Sequence, residues 1–263
     1  MTTAWTTDAA TSDAARAVRL TLLWGLDGVA LRTVGGGRVP MITEGPLRRR
    51  LEEAELPVLA VDPGLFEGSA GARAGWLNDI DALDELAPFC ARFGCGTVRV
   101  GALAADEHAG AAAEHAGAAA EALRQAAERA ERLGLRLAVR NEAGTAVATG
   151  AALAARLAEA GHPALGADWR PADALDAGEA PLTGLAALAG AGAELMCVGV
   201  RDPAGGEPAV VGEGHVGWEE HLAALADLGF GGPLILDALP APARTQGLAS
   251  ATALIRSARR AQR

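Results

Sequence analysis

The sequence predicts an α/β fold, a single (β/α)8 TIM barrel, and three observations carry that prediction. Short apolar runs alternate with amphipathic segments of helical period. The alternation repeats about every 30 residues. The chain, 263 residues long, suits eight such units. Apolar strands that lack polar alternation belong to a parallel sheet covered by helices, and eight units close that sheet on itself. No linker or shift in composition marks a second domain, so residues 1–263 are expected to form one domain.

The elements follow in order. A weakly marked strand, Thr2–Thr6, opens the chain. Ser12 is placed as the N-cap of a helix running to about Trp24, where Gly25 ends it. Gly28–Arg32 is the second strand. The loop behind it carries Gly35, Gly36 and Gly37, which could cradle a phosphate. No helix starts directly after them, so a mobile loop is the better reading. A helix over Pro46–Ala54 precedes the third strand, Leu56–Gly64. In Asn78–Phe93 the residues Ile80, Leu83, Leu86 and Phe89 recur at helical spacing, and the strand Thr97–Leu103 follows. Ala104–Ala120 is a low-complexity segment leading into a helix that ends near Leu133–Gly134. His108 and His115 share a face there, without acid or thiol partners at ligand spacing, and read as solvated helix residues.

The fifth strand, within Leu135–Gly144, stops abruptly in Arg140, Asn141 and Glu142, as a buried strand does when it hands over to a substrate-facing loop. Helix Ala151–Ala160, strand and turn Ala164–Asp173, and helix Leu182–Ala191 come next. Strand Leu195–Pro203, helix Trp218–Leu228, strand Pro233–Leu239 and helix Leu248–Ala261 complete the eight units.

Composition narrows the chemistry. The formal net charge of −10 argues against nucleic acid and against an acidic membrane surface, because phosphate binding needs a basic footprint. All 23 basic residues are arginine. Schiff-base chemistry, pyridoxal phosphate attachment and a phosphate-loop lysine are therefore excluded. Tyrosine is absent too, so proton transfer falls to Asp, Glu, His or Cys. Cys90, Cys95 and Cys197 show no paired spacing and read as small buried residues in a reducing compartment. The first fifteen residues have neither a basic flank nor an apolar core, and no uncharged apolar run reaches the roughly 18 residues of a membrane span. A cytoplasmic protein is expected, with oligomer formation left open.

Several phrases together resemble a known family. They are GLDGVALR, ERLGLRLAVRNEAG, LGADWRPAD, VGVRDP and GEGHVGWEEHLAALADLGFGGPLILD. The most specific is the last: a Gly-Glu-Gly loop, a Trp-led helix, Gly-Phe-Gly-Gly, and a strand ending in an acid. They resemble the xylose isomerase-like TIM barrels, the sugar phosphate isomerase/epimerase family. The resemblance implies a divalent metal held by four strand ends: a glutamate in a Glu-Asn-His-like turn, an aspartate in an Asp-x-x-His-like turn, a histidine in a His-x-Lys-Asp-like turn, and a last glutamate. Here the first glutamate falls on Arg140, with Asn141 kept and Glu142 replacing the histidine. The aspartate falls on Arg170 and its histidine on Asp173. The metal histidine falls on Gly199, with Arg201 for the lysine and Asp202 kept; only Asp237, at the last position, retains a carboxylate.

Arginine offers no lone pair and stays protonated, so it is no metal ligand. At an effective dielectric of about 20, a dication about 4 Å from one guanidinium is opposed by roughly 8 kcal/mol. No cofactor and no metal at the family's site are therefore expected. Period-two alternation puts Asp168 on the same side of its strand as Arg170, and Trp169 on the opposite side, packed against a helix. Arg140 and Arg170 are expected to bind an oxyanion while Asp237 or Glu142 moves a proton. Asp168, Asp173, Arg201, His215 and Arg32 are further substrate-binding candidates, and Glu213 supports its own loop. The expected ligand is a small molecule, anionic or polyhydroxylated: a polyol, keto acid or sugar derivative handled by an isomerase, epimerase or lyase-type enzyme. Two alternatives stand beside it. One is a catalytically silent barrel serving as a binding or scaffold protein. The other is a metal enzyme with the shifted ligands Glu142, Asp168, Asp173 and Asp237.

Overall fold

The structure, a computed structural model, describes residues 1–103 and 112–263, with the side chains of 112–116 and of Arg244 set aside. His108 lies outside the described residues, as does the side chain of His115. The chain begins with β1 (Thr2–Thr6), α1 (Ala14–Trp24), β2 (Gly28–Leu31), β3 (Thr33–Val34), β4 (Gly37–Arg38), α2 (Glu44–Glu53) and β5 (Val58–Val61). It continues through α3 (Arg73–Arg92), β6 (Thr97–Val100), α4 (Ala112–Arg132), β7 (Arg136–Arg140), α5 (Gly150–Ala160), β8 (Leu165–Trp169), α6 (Pro171–Asp176) and α7 (Pro181–Gly190). It ends with β9 (Leu195–Val200), β10 (Pro203–Ala204), β11 (Glu207–Pro208), α8 (Trp218–Asp227), β12 (Pro233–Leu236) and α9 (Ala243–Ala261). Eight of the strands form a closed barrel in the order β1-β12-β9-β8-β7-β6-β5-β2, the (β/α)8 fold that the sequence predicts. No helix among the described residues is long and apolar enough to cross a membrane.

Two compact units divide the chain, Met1–Val61 with Cys197–Arg263, and Asp62–Met196. In the first unit β1 pairs in parallel with β2 and β12, with Trp5 opposite Val29 and Leu236. The strands β2 and β12 are buried almost throughout, which is why they read as continuous apolar runs. Trp5 is fully buried, meets Trp24 edge-to-face at 5.0 Å, and donates its indole N–H to Thr21 at 2.7 Å. That single hydrogen bond removes the penalty of burying the indole nitrogen. In the second unit β6, β7 and β8 are parallel, with Arg140 opposite Asp168 at the ends of β7 and β8. Trp169 is fully buried, and a Cβ added at Gly184 of α7 would lie 2.5 Å from its ring, so only glycine lets that helix approach.

The differences from the sequence reading are local. Asp13, not Ser12, caps α1, accepting the Arg16 N–H at 2.7 Å. The three-glycine loop carries a turn: Thr33–Val34 and Gly37–Arg38 pair as a small hairpin across Gly35 and Gly36, both at positive φ. Helix α3 begins five residues earlier than its apolar period suggests, drawn in by the buried Trp76. Helix α9 likewise starts at Ala243, before Gly247, because Gly247 packs directly on the Trp24 ring. The turn after β8 is a short helix, α6, with Pro171 at its first position. Cys90, Cys95 and Cys197 are buried as expected. Burial pushes the Cys90 thiol up to about 12, with the neighbouring Cys95 adding to it, and pushes Cys95 up to about 11.

Candidate functional site

In the unit Asp62–Met196, charged side chains gather where strands end. Arg140 is the last residue of β7, and its side chain is only 5% exposed. Its Nη1 donates to Asp62 Oδ2 at 3.0 Å, and Nη2 pairs with Glu67. Nε is buried without a hydrogen-bond partner, 4.0 Å from Glu142 Oε2. Asp62 follows β5 directly and is buried; Glu67 and Glu142 are largely exposed.

One strand over, Asp168 is fully buried and turns both oxygens to Arg99. Arg99 Nε donates to Oδ2 at 2.9 Å and Nη2 to Oδ1 at 3.1 Å, a two-pronged pairing with no solvent access on either side. Such a pair is held together because neither charge can be stranded alone in the interior. Arg170 lies on the same side of the chain as Asp168, as alternation requires, with Nε 3.5 Å from Asp168 Oδ2 and the side chain 16% exposed. Asn141 fixes its backbone: Oδ1 accepts the Arg170 N–H at 2.8 Å while Nδ2 donates to the carbonyls of Arg170 at 2.9 Å and Ala148 at 3.0 Å. A buried amide that matches both backbone groups of one residue acts as an extra rung of sheet. Asp173, from α6, accepts the Ala143 N–H at 3.3 Å and so ties the loop after β7 to that helix.

In the unit Met1–Val61 with Cys197–Arg263, Asp237 and Asp202 accept from neutral donors. Asp237 follows β12; its Oδ1 accepts the Thr6 hydroxyl at 2.6 Å, and its backbone N–H reaches Val200 at 3.0 Å. Asp202 is buried and gathers three backbone N–H groups, from Gly212 at 2.7 Å, Gly214 at 3.0 Å and Val216 at 3.1 Å. A Cβ at Gly214 would fall 2.3 Å from Asp202 Oδ1, which explains the second glycine of the Gly-Glu-Gly loop. Asp202 therefore organises that loop, rather than the exposed Glu213. His215 sits exposed on the same loop, its backbone N–H bonded to Pro203 at 3.0 Å. The Arg201 carbonyl accepts the Trp218 indole N–H at 3.2 Å. Arg32, expected to contact substrate, pairs with Asp8: Nε lies 2.8 and 2.9 Å from its two oxygens.

Sequence reasoning named Arg140, Asp168, Arg170 and Glu142, but not Asp62, Glu67 and Arg99, which pair with them, nor Asp8, the partner of Arg32. A signal existed for two of them. Arg99 interrupts an apolar strand, and Asp62 ends one; a charge in such a run is seldom buried without a partner. Glu67 and Asp8 lie in loops and carry no local signal. Among the described residues, no three His, Cys, Asp or Glu side chains are arranged to hold a metal ion.

No curated protein sequence matches the chain. Solved structures do. An L-ribulose 3-epimerase superposes with a TM-score of 0.81 at 15% identity, over 99% of this chain and 95% of the other. A 3-keto-D-glucoside 4-epimerase, YcjR, from E. coli gives 0.78 at 16% identity over 98% and 99%. A probable 3-DHS dehydratase, AsbF, from Bacillus anthracis gives 0.77 at 14% identity over 97% and 99%. At such identities the likeness establishes the barrel itself. The sequence adds the family: residues 18–258 match the one described as Xylose isomerase-like TIM barrel, so this chain belongs to the xylose isomerase-like TIM barrel family.

Proposed function

We propose that the chain is a metal-independent isomerase, epimerase or lyase-type enzyme acting on a small polyol, keto acid or sugar derivative. One observation carries the reading: Arg140 and Arg170, where the family resemblance puts metal ligands, lie among carboxylates that already serve guanidinium groups. A dication does not fit that donor set. Both oxygens of Asp168 are taken by Arg99, Asp62 is committed to Arg140, and two guanidinium charges would oppose the ion. The same donor set suits an oxygen-rich ligand. In this reading Arg170, partly exposed and with its backbone fixed by Asn141, polarises a carbonyl or holds an enolate oxygen. Glu142, exposed on the neighbouring loop, exchanges the proton. Asp237 is the second proton-transfer candidate, within its own unit. Asp173 and Arg32 leave the substrate-binding set, since their contacts hold a loop and pair with Asp8. A similar barrel being an L-ribulose 3-epimerase, and another a 3-keto-D-glucoside 4-epimerase, supports the sugar-like substrate.

The pairing of Arg99 with Asp168, and of Arg140 with Asp62 and Glu67, favours a second reading, a catalytically silent barrel that binds without turnover. One experiment separates the two. The protein, treated with chelator, is incubated in D2O with a panel of ketoses, keto acids and sugar acids, and deuterium at exchangeable carbons is followed by NMR. Exchange is expected in the wild type, and Arg170→Ala should lower it by about 100-fold, as removal of one oxyanion donor does elsewhere. Arg170→Ala leaves Asp168 paired with Arg99, so folding should persist. No exchange with any compound, together with a variant more stable than wild type, would establish the silent barrel. A stoichiometric divalent ion in protein purified without chelator would overturn metal independence and favour the shifted set of Glu142, Asp168, Asp173 and Asp237.

A further inference from the structure

Arg99 and Arg140 present the same edge, Nε with Nη2, to carboxylates, and they use it differently. At Arg99 both nitrogens are taken by the two oxygens of Asp168. At Arg140 Glu67 takes Nη2 alone, and Nε is left buried without a hydrogen bond. The far nitrogen, Nη1, is secured by Asp62, whose side chain is 1% exposed. Glu67, by contrast, is 40% exposed.

We propose that Glu67 is an internal stand-in for the carboxylate of a small organic acid, which displaces it and takes the whole Nε–Nη2 edge of Arg140. The inference rests on the ligand-binding role proposed above and narrows its substrate class to sugar acids and keto acids. The exchange conserves charge, one carboxylate for another, and adds a hydrogen bond, since a bidentate carboxylate engages both nitrogens. A neutral sugar conserves neither the charge nor the strength of the contact. A phosphate dianion adds a second negative charge close to Asp62 and Glu142, which disfavours it.

The backbone leading into Glu67 is anchored by its neighbours. The Phe66 N–H donates to Asp79 at 2.8 Å, the Phe66 carbonyl accepts from Leu103 at 3.1 Å, and the Leu65 carbonyl accepts from Gly101 at 2.9 Å. A Cβ at Gly101 would meet the Phe66 carbonyl at 2.2 Å, so the loop lies directly on that strand end. Phe66 and Leu103 are both held at positive φ, 59° and 52°, a conformation that non-glycine residues keep only where the surroundings enforce it. Burial raises the Asp79 carboxyl above its ordinary value, against the lowering from the Phe66 N–H, with the nearby charge of Glu67 adding to the rise.

The test is calorimetric titration of wild type, Glu67→Gln and Glu67→Ala with D-gluconate, D-glucuronate and pyruvate, with D-fructose and inorganic phosphate as controls. Both variants keep the Arg140–Asp62 pair and should fold. At least one acid should bind the variants about tenfold more tightly than wild type, with D-fructose unchanged and phosphate gaining less. Unchanged or weaker acid binding, with D-fructose still bound, would overturn the stand-in and leave the proposed function in place. Phosphate gaining as much as the acids would overturn the carboxylate preference. Failure of every probe to bind any form would overturn both proposals.

Discussion

The two units put their most buried acidic residues to different uses. In Asp62–Met196, buried carboxylates face guanidinium groups: Asp168 on Arg99, Asp62 on Arg140. In the unit formed by Met1–Val61 and Cys197–Arg263, Asp202 collects three backbone N–H groups and Asp237 a threonine hydroxyl. Asp27 does likewise at the base of β1, accepting both the N–H and the hydroxyl of Thr3. The contrast teaches what each arrangement is good for. A carboxylate on backbone donors fixes a loop, because the donors cannot leave. One that faces a side-chain cation can be exchanged for a ligand if it is exposed, as Glu67 is, or locked if buried, as Asp168 is.

The largest expected effect breaks the comparison on its charged side. Asp168→Ala strips Arg99 of both carboxylate hydrogen bonds in a fully buried place, and should destabilise the fold by about 3–5 kcal/mol in urea unfolding. Replacing both partners with leucine should recover most of that loss, because the stranded charge is gone. A loss below about 1 kcal/mol for Asp168→Ala would mean that water reaches Arg99 after all.

Next comes pH, and it belongs to the other unit. His221 is fully buried on α8, edge-to-face with Trp218 at 5.6 Å, and burial lowers its pKa to about 4. The unfolded chain takes up that proton at the ordinary value near 6.5, so between about pH 6.5 and 4 it binds more protons than the folded one. The stability tied to neutral His221 is complete above that window and is lost as pH falls through it, on the order of 3 kcal/mol in all. His221→Phe should flatten this slope in urea midpoints between pH 7 and 5; an unchanged slope would exclude His221 as its source.

The smallest effect sharpens the comparison on its neutral side. Asp202→Ala leaves three backbone N–H groups without their acceptor and should destabilise by about 2 kcal/mol. Amide exchange at Gly212, Gly214 and Val216 should rise together. Exchange that rises at one of the three alone would mean the loop is held by something other than this carboxylate.

The sequence by itself determined the alternation of buried strands and amphipathic helices, hence the barrel, because strand and helix periods are local and each run is readable from its own residues. It also put Arg140, Asp168, Arg170 and Asp237 where strands stop. It did not reveal the starts of α3 and α9, where tertiary contacts of Trp76 and Trp24 extend helices past glycine. Nor did it reveal partners. Arg140 meets Asp62 and Glu67 across 78 and 73 residues of chain, and Arg99 meets Asp168 across 69. Only the tertiary structure decided those pairings, since a charge's partner depends on which strand end lies beside it and how far each side chain reaches. No periodicity within a segment records either.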